Sequence, residues 1–195
     1  GRRLPGRWDL PHLQAVHRFV FQNVYDWAGE VRTVAMSKGT DFHPLPQPAY
    51  AAGIFARLAA DHQLRDLERE PFLRQVSQLE SELFALHPFR EGNTRSTTTF
   101  VSLLARQAGW QIAWRRCDPP AMQDALRRSY RAPEHRAGRE LEPLIDPVLS
   151  PLRGPGDSGP RDPDALPPPE RAFRLTRAHR RHDSRGQSGG FSLSR

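Results

Sequence analysis

Leu86-His87-Pro88-Phe89-Arg90-Glu91-Gly92-Asn93-Thr94-Arg95 crowds a base, a carboxylate, a flexible turn and a cation between two apolar helical runs. Upstream, Val76, Leu79, Leu83 and Leu86 recur at helical spacing. Pro88 disfavours helical backbone at the residue before it, so the spacing predicts a buried helix that turns out near His87. Downstream, Phe100, Leu103, Leu104 and Ala108 repeat the pattern, and Gly109 is placed to end the second helix. Between them, Gly92 permits a backbone conformation closed to other residues, and Asn93 and Thr94 are good N-cap residues. Free amides of a helix start are expected to converge there, and such a start attracts phosphate.

Each residue has a task in moving a phosphorus centre onto a hydroxyl. His87 titrates near neutrality and can take the hydroxyl proton, worth about 10²–10⁴ in rate. Glu91 offers hard oxygen to Mg²⁺, an ion usually held by one or two carboxylates plus substrate phosphates. Arg95 can grip phosphate oxygens two at a time, one turn into the dipole of the second helix. Taken singly these residues have plainer readings. A histidine at a helix end is an ordinary cap, Glu91 and Arg95 are spaced for an exposed ion pair worth about 0.3–0.5 kcal/mol, and Phe89 is core. Order and compactness lift the string above its parts.

The stretch His87 to Arg95 resembles the signature of the Fic/Doc family, His-x-Phe-x-Asp/Glu-Gly-Asn-Gly-Arg-x-x-Arg, with one substitution in nine consecutive residues, Thr94 for Gly. A second patch, Val24-Tyr25-Asp26-Trp27-Ala28-Gly29-Glu30-Val31-Arg32, resembles the segment that in these proteins leads from an early helix into a β-hairpin called the flap. The resemblance implies an all-α, Fic-type helical domain with a small hairpin. It also implies a protein nucleotidyltransferase that moves AMP, or another NMP, from a nucleoside triphosphate to a Ser, Thr or Tyr hydroxyl of a target protein. Carried over, His87 is the general base and Glu91 the Mg²⁺ ligand. Gly92, Asn93 and Thr94 form the phosphate cradle, and Arg95 is the charge clamp. ATP is the implied co-substrate.

One departure bears on the donor. The last signature position holds Thr98, in the run Ser96-Thr97-Thr98-Thr99, where the family has Arg. In many members that arginine steadies the terminal phosphates of ATP, and an inhibitory glutamate pairs with it. A Thr hydroxyl can donate a hydrogen bond but brings no charge, and a lost charge-assisted contact costs about 1.5–3 kcal/mol of donor binding. Weaker ATP use, a different donor, and a silent Fic-like module acting through a partner or nucleic acid all stay open. No string of the kind that forms the family's self-blocking helix is found. Inhibition is therefore expected from another chain, such as a small antitoxin restraining a toxin, or from a segment upstream of Gly1.

Formal charge is +7 over 195 residues, unevenly spread. Residues 1–150 carry 20 Arg/Lys against 17 Asp/Glu, net +3, and residues 151–195 carry 9 against 5, net +4. Lys38 is the only lysine among 29 basic residues, a bias that runs through the whole chain and reads as codon usage before it reads as a nucleic-acid surface. Basic charge alone predicts loose, salt-sensitive affinity for polyanions. The single cysteine, Cys117, excludes an internal disulfide and a Cys-based zinc cluster and fits a reducing compartment. No apolar run approaches the roughly 18 residues of a membrane span. The expected setting is cytoplasmic, with secretion as an effector left open, and no membrane partner.

The remaining elements follow in order. Residues 1–9 are expected to be loose. From Pro11, Leu13, Val16, Val20 and Val24 draw the stripe of a first helix, on which His12 and His17, five apart, are read as structural or exposed. Residues 31–45 read as a hairpin turning at Ser37-Lys38-Gly39-Thr40, its free edge suited to docking an extended target peptide beside His87. Arg32 is assigned a structural ion pair. Tyr50, Ile54, Leu58, Leu64 and Leu67 mark a second helix, and Pro71 opens the one that reaches His87. Trp110 to Trp114 is a short strand or packed connection, too poorly spaced for base stacking. Asp118 and Pro119 start another helix, and Leu141 to Leu149 a last short one. The domain is thus placed at residues 10–150. Residues 151–195, rich in Pro, Gly and Arg, are expected to be a disordered basic tail, the one region through which nucleic acid would bind.

Overall fold

The computed structural model describes residues 7–38, 41–132 and 138–152, with the backbone alone at 38 and 41–43. All of these fall in one unit, Arg3–Ala165. The element order is α1 (Leu10–Phe21), β1 (Met36–Lys38), β2 (Asp41–His43), α2 (Pro48–Ala60), α3 (Arg69–Leu86), α4 (Asn93–Gln107), β3 (Trp110–Ile112), α5 (Pro119–Arg131), α6 (Glu142–Ile145) and β4 (Leu149–Pro151). The described residues are mostly helical, as their apolar spacing predicts.

The centre is the pair α3 and α4, joined by the turn that holds the quoted motif. Phe72, Val76 and Leu83 from α3 and Phe100, Val101 and Leu104 from α4 have no exposed surface. Burial of each such side chain is worth about 1.5–3 kcal/mol. α1 packs on α4 and brings Leu13 and Val16 into the same core. Asp9 caps α1 by accepting from the His12 N–H at 3.0 Å. The segment expected to be loose is already fixed at Trp8, 9% exposed, whose indole N–H donates to Gln107 at 2.9 Å and whose ring packs against Phe100. Residues 1–6 lie outside the described residues.

Three other expectations shift. The second helix stops at Ala60, and the chain then makes a 3-10 turn, His62–Leu64, with positive φ at all three residues and at Asp66. Leu64 reaches the core from this turn, 2% exposed, because an apolar residue follows the core and not the helix that precedes it. The α-helix expected over Leu141–Leu149 is a single α turn, α6, followed by a 3-10 turn, Asp146–Val148, and a strand. That strand, β4, pairs antiparallel with β3, Trp110 opposite Pro151 and Ile112 opposite Leu149, and the Leu152 N–H donates to the Gly109 carbonyl at 2.7 Å. The described residues thus run to 152, two beyond the boundary placed from sequence. Residues 153–195, the expected tail, lie outside the described residues.

The hairpin is present, Met36 opposite His43 and Lys38 opposite Asp41, with its tip at 39–40 outside the described residues. It is shorter than expected: Ser37 and Lys38, placed in the turn from sequence, pair within the strand, and residues 31–35 precede it. α5 starts as expected, Asp118 accepting from the Ala121 N–H at 3.1 Å. Trp110 stacks on Phe72 at 5.4 Å and belongs to the core edge. Among the described residues, no helix is long and apolar enough to cross a membrane.

Candidate active site

α3 ends on His87, whose N–H still bonds the Leu83 carbonyl at 3.1 Å while its own backbone turns left-handed, φ 43°. That conformation costs a non-glycine residue about 1–2 kcal/mol. It swings the chain out of the helix at the half-buried His87, ahead of Pro88 and the fully buried Phe89. Asn93 then closes the turn. Its Oδ1 accepts from the Phe89 N–H at 2.9 Å and its Nδ2 donates to the Phe89 carbonyl at 2.7 Å. The side chain, 6% exposed, is thus committed to the loop, and what Asn93 can present outward is its backbone amide. The N-cap of α4 is Gly92 and not Asn93 or Thr94, with φ +77°. A Cβ there would stand 2.4 Å from the Phe21 ring, so position 92 is restricted to glycine by conformation and by space.

The start of α4 carries amides that the helix itself does not satisfy, those of Asn93, Thr94 and Arg95. Glu91, Thr94 and Arg95 around it are exposed. One Glu91 carboxylate oxygen accepts from the Gly92 N–H at 3.2 Å. The Arg95 guanidinium lies 5.4 Å from the Phe21 ring centre and that of Arg90 lies 5.9 Å from Trp27, so both cations rest on aromatic faces at the rim. Thr98 is half-buried, and its hydroxyl donates to the Thr94 carbonyl at 2.8 Å, back onto its own helix.

Two residues hold this turn from behind, and neither was assigned to it from sequence. His17, fully buried, accepts the Gly29 N–H on Nδ1 at 2.8 Å, which assigns the ring proton to Nε2, and that nitrogen faces the Glu91 carbonyl at 3.1 Å. The ring stacks on Phe89 at 3.9 Å, and burial holds its pKa below the ordinary histidine value. Arg32, 2% exposed, was assigned an ion pair. It donates to carbonyls: Nε to His87 at 2.7 Å, Nη1 to Val34 at 2.6 Å and Nη2 to Pro44 at 2.5 Å. Its backbone N–H bonds the Pro88 carbonyl at 2.9 Å. The Gly29 to Arg32 patch is therefore the wall on which the His87 to Arg95 turn is built. The only sequence signal for this was that the two patches occur together.

Near the turn, Pro44, Leu45, Tyr50, Leu86 and Tyr130 line a cavity of about 370 Å³ between the hairpin exit, the end of α3 and α5. Its wall is largely apolar, and it is reached one residue before His87.

The family model described as the Fic/DOC family matches residues 7–105, a span that runs from Arg7 through the turn and most of α4. The chain belongs to the Fic/DOC family. It is 38% identical over 128 residues to the probable protein adenylyltransferase y4lH of Sinorhizobium fredii, covering 64% of this chain and 67% of that one. It is 38% identical over 129 residues to the protein adenylyltransferase VbhT of Bartonella schoenbuchensis, covering 65% of this chain and 27% of that one. Against the probable protein adenylyltransferase Fic of Escherichia coli it is 32% identical over 120 residues, covering 60% and 59%. The chain thus spans between about a quarter and two thirds of these relatives. Among solved structures it shares the fold of BepC from Bartonella tribocorum, a VirB-translocated effector with bound AMPPNP. There the TM-score is 0.70 at 21% identity, over 78% of this chain and 79% of that one.

Proposed function

We propose that this Fic/DOC chain is a protein adenylyltransferase, transferring AMP from ATP to a Ser, Thr or Tyr hydroxyl of a target protein. The observation that carries the reading is the Asn93-closed turn. It sets His87, at the end of one helix, five residues from Gly92, where the unsatisfied amides of the next helix begin. In the step, the target hydroxyl oxygen attacks the α-phosphorus, the bond from that phosphorus to the bridging oxygen of pyrophosphate breaks, and the hydroxyl proton passes to His87. The amides of Asn93, Thr94 and Arg95 hold the phosphate oxygens, and the Arg95 guanidinium offsets the charge that gathers on them. Relatives named as adenylyltransferases and a like fold with bound AMPPNP support ATP as the donor.

Glu91 is suited to Mg²⁺. It is an exposed carboxylate at the mouth of the turn, and magnesium needs little more than one carboxylate when phosphates and waters complete its shell. Bound there, the ion would neutralise phosphate charge and orient the donor. We assign the nucleoside to the largely apolar cavity beside Leu86, lined by Tyr50 and Tyr130. The target docks as an added strand along the hairpin, residues 31–45. Regulation falls to a separate small antitoxin, and the compartment is a bacterial cytoplasm or, after secretion, a host cell.

The test is incubation of wild type and His87→Ala with lysate and ATP, GTP, CTP or UTP labelled at the α-phosphate. His87-dependent labelling of a protein is expected, most strongly from ATP, and its absence with every donor overturns the reading. A second reading, a silent Fic-like binding module, is favoured by one observation: Thr98 gives its hydroxyl to Thr94 and so offers the terminal phosphates neither charge nor donor.

A further inference from the structure

Arg32 is the least exposed cation of the described residues and lies outside the motif that carries the chemistry. Desolvation makes a buried guanidinium expensive, and it disfavours the charged form here. Charge-assisted hydrogen bonds offset that cost only when their geometry is good. The bonds of Arg32 to the turn and the hairpin have a pattern. The Nε and the backbone N–H of Arg32 take two consecutive carbonyls of the turn, His87 and Pro88. The two terminal nitrogens take Val34, which enters the hairpin, and Pro44, which leaves it. A carbonyl in a left-handed residue such as His87 has left the helical ladder and needs a donor. Arg32 supplies it from the same planar group that ties the hairpin stem.

We infer that Arg32 is a positioning residue that couples the hairpin to the base, setting the backbone of His87 according to the placement of residues 34 and 44. The inference rests on the reading of His87 as general base. Because a guanidinium is rigid and planar, moving either hairpin carbonyl rotates the fork and shifts the bond to His87. A target strand that orders the hairpin would in this way also align the imidazole. Its bonds to His87, Val34 and Pro44 bear on the base and the hairpin stem, so the coupling is to the base and not to phosphate binding at Gly92 and Arg95.

The test uses the full chain and Arg32→Lys, which keeps a buried charge but loses the fork. For transfer from ATP to a labelled lysate protein, kcat is expected to fall about 10- to 100-fold while KM for ATP stays within about threefold. By hydrogen exchange, the amides of His87 and Phe89 are expected to exchange about tenfold faster, with those of Val76 and Leu104 unchanged. Wild-type kcat, a matched change in kcat and KM, or equal acceleration at all four amides overturns the coupling. If the wild type labels nothing, the transfer reading fails and the exchange pattern alone decides the coupling. If Arg32→Lys does not fold, wild type suffices: Arg32, His87 and Phe89 amides should exchange within about tenfold of one another as one opening unit, and a wider spread overturns it.

Discussion

Gly92 answers two constraints with one absent atom. Its φ of +77° strains any side chain, and a Cβ would collide with the Phe21 ring, which in turn lies beneath the Arg95 guanidinium. Gly92→Ala is expected to lose about 1–2 kcal/mol from backbone strain alone. Displacement of Phe21 should lower label transfer further, so that melting and transfer fall together in paired measurements. Thr98 makes the opposite case, a residue whose hydroxyl is already spent within its helix. Thr98→Arg should raise ATP affinity about 10- to 100-fold by restoring a charge-assisted contact, as read by calorimetric titration. An unchanged affinity would remove terminal phosphates from the account of this position. Both positions were legible in sequence as to kind. The partner of each, a ring from α1 and a carbonyl one turn back, was not.

Between α3 and α4 lies an ionisable group that the proposed chemistry does not use. Glu80 is 2% exposed, follows Val76 by one helical turn, and meets the Thr97 hydroxyl at 3.1 Å. Burial raises its pKa to about 7, against a smaller lowering by Thr97. The Thr97 hydroxyl donates to Glu80 Oε1 at 3.1 Å and also lies 3.2 Å from the Thr94 carbonyl, and burial outweighs that donation in favouring the neutral carboxyl. The folded state then holds the proton more tightly than the unfolded chain, so stability is full below the ordinary carboxyl pKa of 4.5 and declines as pH rises to about 7. The loss amounts to about 3 kcal/mol. Glu80→Gln should remove that slope, and melting curves taken across the same pH range check it. The helical period of α3 puts residue 80 on the apolar face from sequence alone. Its neutral state requires α4 packed over it, which pattern does not reveal.

For the molecule as a whole, the question is where the fold ends and what the remainder does. β4 pairs with β3 and Leu152 bonds Gly109, so a chain ending at 152 should melt like the full one, and one ending at 148 should melt several degrees lower for loss of that pairing. The net +4 beyond residue 150 carries the greater part of the excess charge. In salt titrations the chain ending at 152 should therefore lose most polyanion binding and keep label transfer. Polyanion binding that survives this cut would place a basic surface on the folded domain.

Local pattern by itself determined the helical class, the two helices flanking the motif, the glycine turn between them, and the hairpin, since these depend on residue spacing and backbone freedom within a few positions. Nine contiguous residues were enough to point to the family. Tertiary structure decided what the chain does with its buried polar groups: Asn93 closing the turn on Phe89, His17 and Arg32 bracing it from another segment, Leu149 to Pro151 crossing to pair with β3. Hydrogen bonds between residues 12 to 74 positions apart leave no periodic trace. A buried donor is satisfied by whichever acceptor the packed helices bring near, and only the assembled fold says which that is.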